Sequence, residues 1–314
     1  MFHSNQLPAI SLSLADIPLK AQDMAGRMSI SGVQPKLSLK LDKRRNELLK
    51  FRDPMDTMPC WIPLIFQGKT RGGLYPLISE TSVVVAPTQG EYILKPQIQQ
   101  FPHTPENENC CMDIAGALGI DVPPHCLLTL KDGSLAYVVK RFDRRGGQKI
   151  HQEDFYQILE KRNKYMGSLE QIGKKLGEIS GVPGLDIQLF FERVVLNFLI
   201  GNGDGHFKNH SISYHKDKGI RLSPAYDIVC SKLVIPNEGD SALTINGKNN
   251  NLTHNDFRIF AESFRIPEKV RYEKFEGQRE RIKQFIQTSQ LPADFKKRFV
   301  EIVLSRYERL KIRP

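Results

Sequence analysis

The sequence predicts an α+β protein of two lobes, a strand-rich first half and a mainly helical second half. Three observations carry that expectation. Short strand-like segments cluster before residue 150, one of them, Leu37–Asp42, with apolar residues at every second position as in a half-buried strand. Beyond about Ile150 the apolar spacing becomes helical, and Asp186–Ile200 (DIQLFFERVVLNFLI) reads as the most deeply buried helix of the chain. The length, 314 residues, suits two lobes of about 150 residues each. The expected divisions are a lead-in over 1–27, an N-lobe over 28–144 and a C-lobe over 145–314.

Taken in order, residues 1–27 are polar and mixed, with Pro8 and Pro18, and predict a weakly structured lead-in. Leu37–Asp42 (LSLKLD) alternates cleanly and predicts a strand. Val83–Val85 and Tyr92–Lys95 predict two more, the second stopped by Pro96. A helix is expected to start at Thr104-Pro105-Glu106, with Thr104 as the cap and acids facing the positive helix end, and to stop at Gly119. His125–Leu130 and Leu135–Arg141 predict a hairpin across Lys131-Asp132-Gly133. The charged link Arg144–Gly147 then marks the join between the halves, with helical structure expected from Ile150 onward.

Composition narrows the functional classes. Lys and Arg total 45 against 35 Asp and Glu, a net charge of +10, and hydrophobic residues make up 40%. The mean hydropathy is −0.37 and the pI about 9.3. No apolar run approaches the roughly 20 residues of a membrane-spanning helix, so no membrane partner is expected. The N-terminal MFHSNQLPAI lacks the basic and apolar regions of a secretory leader. The five cysteines, Cys60, Cys110, Cys111, Cys126 and Cys230, show neither disulfide-framework nor zinc spacing. They predict a reducing, cytoplasmic setting, and of the vicinal pair Cys110 and Cys111 one is expected in the core and the other nearer the surface. The positive surplus by itself suits nucleic acid, nucleotide phosphates or an acidic protein.

The chemistry concentrates in Leu199–Ile212 (LIGNGDGHFKNHSI), where a buried helix runs into a glycine-rich loop carrying Asp204, His206, Lys208 and Asn209. Asp204 and Asn209 have the D-x-x-x-x-N spacing of a kinase catalytic loop, in which the Asp accepts the substrate hydroxyl proton and the Asn holds Mg²⁺. After a hairpin-sized connection, Asp227 in LSPAYDIV stands where a kinase places its metal-binding Asp. Two carboxylates and an amide oxygen are hard donors suited to Mg²⁺. Lys95, ending the strand YILK, fits the lysine that holds nucleotide phosphates, and Glu108 the helix glutamate that orients it, with Glu106 as the competing acid. Each element alone is commonplace. Their conjunction in kinase order points to nucleotide-dependent phosphoryl transfer on a two-lobed, protein-kinase-like fold.

GNGDGHFKNHSI followed by LSPAYDIV resembles the signature of HipA-type serine/threonine toxin kinases. The resemblance extends to Met28–Lys36 (MSISGVQPK), similar to the family's S-x-x-G-x-Q-x-K loop. It also covers VVKRFDR (Val138–Arg144), HQEDF (His151–Phe155) and ALTINGKNNN (Ala242–Asn251). It implies Asp204 as catalytic base, Asn209 and Asp227 as Mg²⁺ ligands, and His206, Lys208 and Tyr226 at the nucleotide. It further implies Lys95 at the ATP phosphates, Lys140, Arg141 and Phe142 as the hinge around adenine, and Ser31, Gly32, Val33, Gln34 and Lys36 as the phosphate-covering loop. Ser29 aligns with the family's autophosphorylated serine, and Ser31 is a second candidate.

The pair Ser29 and Ser31, and the chain's short N-terminal side, make it most similar to the HipT variety, in which a small separate protein supplies a missing N-terminal subdomain. The implied partners are that protein, an antitoxin, DNA reached only indirectly, and as protein substrate an aminoacyl-tRNA synthetase, the tryptophanyl enzyme favoured. Two other readings stay open. Residues 265–314 hold 14 Lys and Arg against 7 Asp and Glu, which allows a DNA-associated repressor component. The loop chemistry equally serves a kinase of a small molecule or lipid. The role of residues 43–90 is open.

Overall fold

The computed structural model describes residues 10, 12–17, 36–42, 82–85, 90–146 and 148–314. The chain divides into two compact units, one of residues 1–97 with 124–141 and the other of residues 98–123 with 142–314. The fold is α+β, with antiparallel sheets and helices.

The first unit is a five-stranded antiparallel sheet. Its strands are β1 (Leu37–Asp42), β2 (Ser82–Val85), β3 (Tyr92–Pro96), β4 (His125–Thr129) and β5 (Leu135–Lys140), in the order β2-β1-β3-β5-β4. One face of the sheet carries an apolar core. Leu37 pairs with Leu94, and Leu94 with Val138, so three apolar side chains line up across the sheet. Leu39, Tyr92, Leu128, Leu130 and Ala136 complete that core. Each large apolar side chain buried there contributes about 1.5–3 kcal/mol. Ile10 and Ile17 are buried in the same cluster, and Leu12 and Leu14 pack against it. The Lys131 N–H donates to the Leu12 carbonyl at 3.0 Å, and the Leu14 N–H to Asp132 Oδ2 at 2.6 Å. The described part of the lead-in is thus anchored on the β4–β5 turn, where a weakly structured segment was expected. Ile10, Leu12 and Leu14 stand at every second position, but an alternation of only three apolar residues is too short to announce an anchored segment.

The second unit begins with α1 (Thr104–Ala117). His103 in the left-handed region is its cap residue, and Thr104 is already helical, its hydroxyl donating to the Phe101 carbonyl at 2.7 Å. Pro105 and Gly119 (φ 74°) start and stop the helix as the sequence predicts. The unit continues with the short hairpin β6 (Arg144–Arg145) and β7 (Gln148–Lys149), then β8 (His151–Asp154), α2 (Phe155–Ile158), α3 (Leu169–Ile179) and α4 (Pro183–Leu199). The hairpin β9 (Ser211–His215) and β10 (Gly219–Leu222) follows, then α5 (His254–Ser263), α6 (Arg279–Thr288) and α7 (Ala293–Leu310). β8, β9 and β10 form an antiparallel sheet with β9 central. Helix is not continuous from Ile150, because HQED pairs with Ser211–Tyr214 as β8, an edge strand too short and polar to announce itself. Cys110 and Cys111 are both buried, so neither of the pair lies nearer the surface.

Helix α1 groups with the second unit, although it precedes residue 145. The Asn107 side chain explains why. Its amide donates to the Cys230 carbonyl at 3.0 Å and accepts from the Cys230 N–H at 2.9 Å, a two-point clamp on a segment 123 residues away.

Capping boxes fix the starts of three helices: Asp154 with Gln157, Ser168 with Gln171, and Thr253 with Asp256. Helix α4 buries Phe190, Phe191, Val195, Leu196 and Leu199, the central packing surface of the unit. At its first turn the buried Asp186 accepts from Arg221 at 2.9 Å, from the Leu222 N–H at 3.0 Å and from the Ser180 hydroxyl at 2.6 Å. This binds β10 to α4 and so sets the hairpin that separates the two loops described next. Among the C-terminal cations, Arg306 and Arg309 close on the buried Asp240, Lys274 on Glu192, and Arg298 on the Leu233 carbonyl. Part of the local basic surplus is therefore structural.

Two predictions follow from these buried acids. Asp186→Ala leaves Arg221 without its partner and should lower the unfolding free energy by about 3–5 kcal/mol in a denaturant titration; an unchanged midpoint contradicts this role. Burial alone would raise the Asp256 carboxyl, but bonds from Thr253, Lys248 and Asn246 outweigh it and hold the group at about 2. A carboxyl lowered from 3.8 stabilises the fold above that pH and loses the contribution as pH falls toward 2. Thermal melts of Asp256→Asn should therefore be less acid-sensitive across that window than wild type. Equal sensitivity contradicts the assignment.

Candidate active site

Helix α4 is too apolar to continue into solvent, and it stops at Gly201 (φ 74°), a backbone state that favours glycine. The chain then turns into the Asn202–Asn209 loop. The Asn202 amide is held by Asn197 of the last helical turn at 3.1 Å, and its oxygen accepts the Asp204 N–H at 3.2 Å. Gly203 leaves room for the Glu238 side chain, whose carboxylate would lie 2.4 Å from a Cβ there and would have to shift. The Gly203 N–H donates to Ser231 Oγ at 2.8 Å, and that hydroxyl in turn donates to Glu238 Oε2. Burial pushes the Glu238 carboxyl up, as does the nearby negative charge of Asp204.

These contacts present Asp204, half-buried, with its Oδ1 accepting from the Tyr165 hydroxyl at 2.9 Å. The chain then closes a single 3-10 turn over Phe207–Asn209. Asn209 is its latch. The side-chain oxygen accepts the His206 N–H at 3.0 Å, and the amide nitrogen donates to Asp227 Oδ2 at 2.9 Å. Asp227 takes a left-handed backbone (φ 59°) just after the β9–β10 hairpin, a conformation an Asp tolerates better than most residues. Ala225, two residues earlier, donates its N–H to the Asp121 carbonyl at 2.7 Å, and Asn107 clamps Cys230 three residues later.

Neutral imidazoles flank this pair. Burial pushes the His206 ring down, the Lys164 charge adds to that and Asp204 opposes it, while Lys164 Nζ lies 2.7 Å from its Nε2. An ammonium donates only, so Nε2 accepts and the ring proton sits on Nδ1. His210 is fully buried edge-on to Phe190, and burial pushes it down to about 3. The Tyr226 hydroxyl donates to the Lys208 carbonyl at 3.0 Å, its ring lies 5.5 Å from that of Phe142, and burial pushes its hydroxyl up. Lys208 itself sits over the Tyr156 ring at 4.5 Å.

Of the residues singled out in the sequence, the second unit thus gathers Asp204, His206, Lys208, Asn209, Tyr226, Asp227 and Phe142. Glu108 is buried on α1, next to the clamp residue Asn107; Glu106 on the same helix meets His103 at 3.2 Å. Lys95, Lys140 and Arg141 belong to the first unit. Lys95 is buried with its Nζ 5.7 Å from the Tyr137 ring centroid, Lys140 pairs with Tyr92, and the Arg141 N–H donates to the Glu91 carbonyl. Lys36 leads into β1. Ser29, Ser31, Gly32, Val33 and Gln34 lie outside the described residues, as does Cys60. Residues not foreseen from the sequence are Tyr165, Lys164, Asn107, Asn197, Ser231 and Glu238. Asn197 lies in the helical turn just before the loop, whereas the others are polar side chains far along the chain, and no spacing rule reaches them.

Asn209 and Asp227 stand side by side with hard oxygen donors, and no group of three or more His, Cys, Asp or Glu among the described residues could enclose a metal ion. A pair this sparse fits Mg²⁺, which takes one or two carboxylates and completes its shell with phosphate and water. As placed, Asn209 turns its nitrogen to Asp227, so a cation shared by both requires rotation of that amide.

The family model described as HipA-like C-terminal domain matches residues 28–290. The chain belongs to that family. A Sinorhizobium fredii protein named "Putative kinase Y4dM" is 38% identical over 170 residues, covering 50% of this chain and 41% of that protein. A Haemophilus influenzae protein named "Putative kinase" is 33% identical over 181 residues, covering 52% and 53%. The chain thus spans about half the length of these curated relatives. Among solved structures, Shewanella oneidensis HipA, in complex with HipB and operator DNA, superposes with a TM-score of 0.60 at 20% identity, over 91% of this chain and 66% of that one. The Helicobacter pylori proinflammatory kinase CtkA gives 0.51 at 18% identity, over 70% and 88%. These likenesses are of fold, and the fold of this HipA-like domain is that of kinases.

The Ser231 hydroxyl is the joint between the loop and Glu238. Ser231→Ala removes the acceptor of a buried N–H and should cost about 1–3 kcal/mol in a denaturant titration. An unchanged midpoint would show that the hydroxyl does not hold the loop.

Proposed function

We propose that this chain is an ATP-dependent serine/threonine protein kinase acting as the toxin of a bacterial toxin–antitoxin system. The observation that carries the reading is the bond between Asn209 and Asp227, which brings together the two loops whose order and spacing follow a kinase, with Asp204 held separately by Tyr165 and Asn202. Asp204 accepts the proton of the acceptor hydroxyl as its oxygen bonds to the γ-phosphorus and the bond to ADP breaks. Asn209 and Asp227 would hold Mg²⁺, which when bound neutralises charge on the phosphates. His206, Lys208, Tyr226, Phe142, Lys95, Lys140, Arg141, Lys36 and the loop from Ser31 are assigned to ATP by the family resemblance, with Glu108 as the lysine-orienting acid.

The finer assignments rest on the same resemblance. Ser29 or Ser31 is the autophosphorylation site, where about two added negative charges beside a phosphate-binding loop compete with ATP. The target is an aminoacyl-tRNA synthetase, with the tryptophanyl enzyme first. An antitoxin is the expected partner, supported by the HipB-bound assembly of the Shewanella protein. DNA is reached through that partner, in keeping with the engagement of Arg306, Arg309, Lys274 and Arg298 inside the fold.

The test is γ-phosphate transfer to proteins of a bacterial lysate by wild type and Asp204→Asn. Loss of the general base should lower labelling by about 10²–10⁴-fold. Equal labelling by the variant would sink the mechanism.

A further inference from the structure

The loop 163–167 between α2 and α3 lies against the catalytic loop and is built to stay there. The Tyr165 N–H donates to Asn163 Oδ1 at 2.9 Å, and the Phe207 N–H to the Lys164 carbonyl at 3.3 Å. At Gly167 a Cβ would meet the Phe207 ring at 2.6 Å, so only glycine lets the two segments approach so closely. Lys164 reaches His206, and the Tyr165 ring stands edge-on to the His206 ring at 5.2 Å. Yet Tyr165 is 46% exposed and Met166 70% exposed. The loop therefore carries an open side directly beside Asp204.

The contact that matters is the Tyr165 hydroxyl donating to Asp204 Oδ1 at 2.9 Å. A general base takes a proton from a hydroxyl held within about 2.6–3.2 Å. The phenol satisfies that geometry without being a substrate.

We infer that Tyr165 occupies the acceptor-hydroxyl position on Asp204, and that a phosphoryl acceptor enters this subsite by displacing it. The inference rests on the kinase reading and names the subsite for its acceptor. The phenol suits the part of a placeholder: burial, with the Asp204 charge, pushes it up to about 12, so it keeps its proton and goes on donating. A hydroxyl that replaces it exchanges one hydrogen bond for another. The incoming chain then lies along the exposed side of Tyr165 and Met166, with the Lys164 ammonium at the rim.

Water is the simplest acceptor, and ATP hydrolysis is the probe. Tyr165→Phe, with Tyr165→Leu as a second variant, should raise the hydrolytic kcat by about tenfold while leaving the KM for ATP unchanged, because a bond to a charged group no longer blocks Asp204. Tyr165→Phe combined with Asp204→Asn should fall back to the rate of Asp204→Asn alone. If both Tyr165 variants hydrolyse ATP at or below the wild-type rate while lysate labelling still depends on Asp204, the placeholder assignment is overturned and the kinase reading stands. If lysate labelling does not depend on Asp204, the kinase reading falls and takes this inference with it.

Discussion

One buried amide organises the second unit's chemistry. Asn209 spends its oxygen on the His206 N–H and its nitrogen on Asp227, so a single side chain fixes the turn of one loop and its contact with another 18 residues on. Everything nearby serves to keep those loops within reach. The Asp186–Arg221 pair ties the intervening hairpin to α4, Asn107 grips the backbone beyond Asp227, and Ser231 and Asn202 hold the approach to Asp204. A carboxylate so placed is neither deeply buried nor freely rotating. Its carboxylate accepts from a neutral donor, the Tyr165 hydroxyl, which leaves its charge available for a proton.

The surroundings keep that charge from being cancelled. Both nearby histidines are neutral through burial, and the Lys164 ammonium is spent on the His206 ring. Glu238 adds a second acid close by, its proton affinity raised by burial and by Asp204, and its bond from Ser231 fixes the glycine turn in front of Asp204. The loop glycines have separate reasons. Gly201 supplies the left-handed turn that ends α4, and Gly203 makes room for Glu238.

Much of this was legible in the sequence where the determinants are local. The five strands of the first sheet were legible to within a residue at each end, Leu37–Asp42 by its alternation and the others as short apolar runs bounded by turn residues. The D-x-x-x-x-N spacing was readable because Asp204 and Asn209 share one loop, and Asp227 because only a hairpin intervenes. The supports were not readable. Asn107 acts across 123 residues and Tyr165 across 39, and in a linear sequence each is only one more polar residue on a helix or loop. β8 was missed because an edge strand of four polar residues carries no apolar period. The charge total misled in part, for several of the C-terminal cations are anchored on buried acids and carbonyls.

The central proposal is that Asp227, with Asn209 once its amide rotates, would hold the cation that accompanies the nucleotide. Titration calorimetry with a non-hydrolysable ATP analogue, with and without Mg²⁺, addresses it in wild type and Asp227→Asn. The account predicts that Mg²⁺ tightens nucleotide binding to wild type by about tenfold or more and does nothing for the variant. The same gain from Mg²⁺ in Asp227→Asn as in wild type would contradict it.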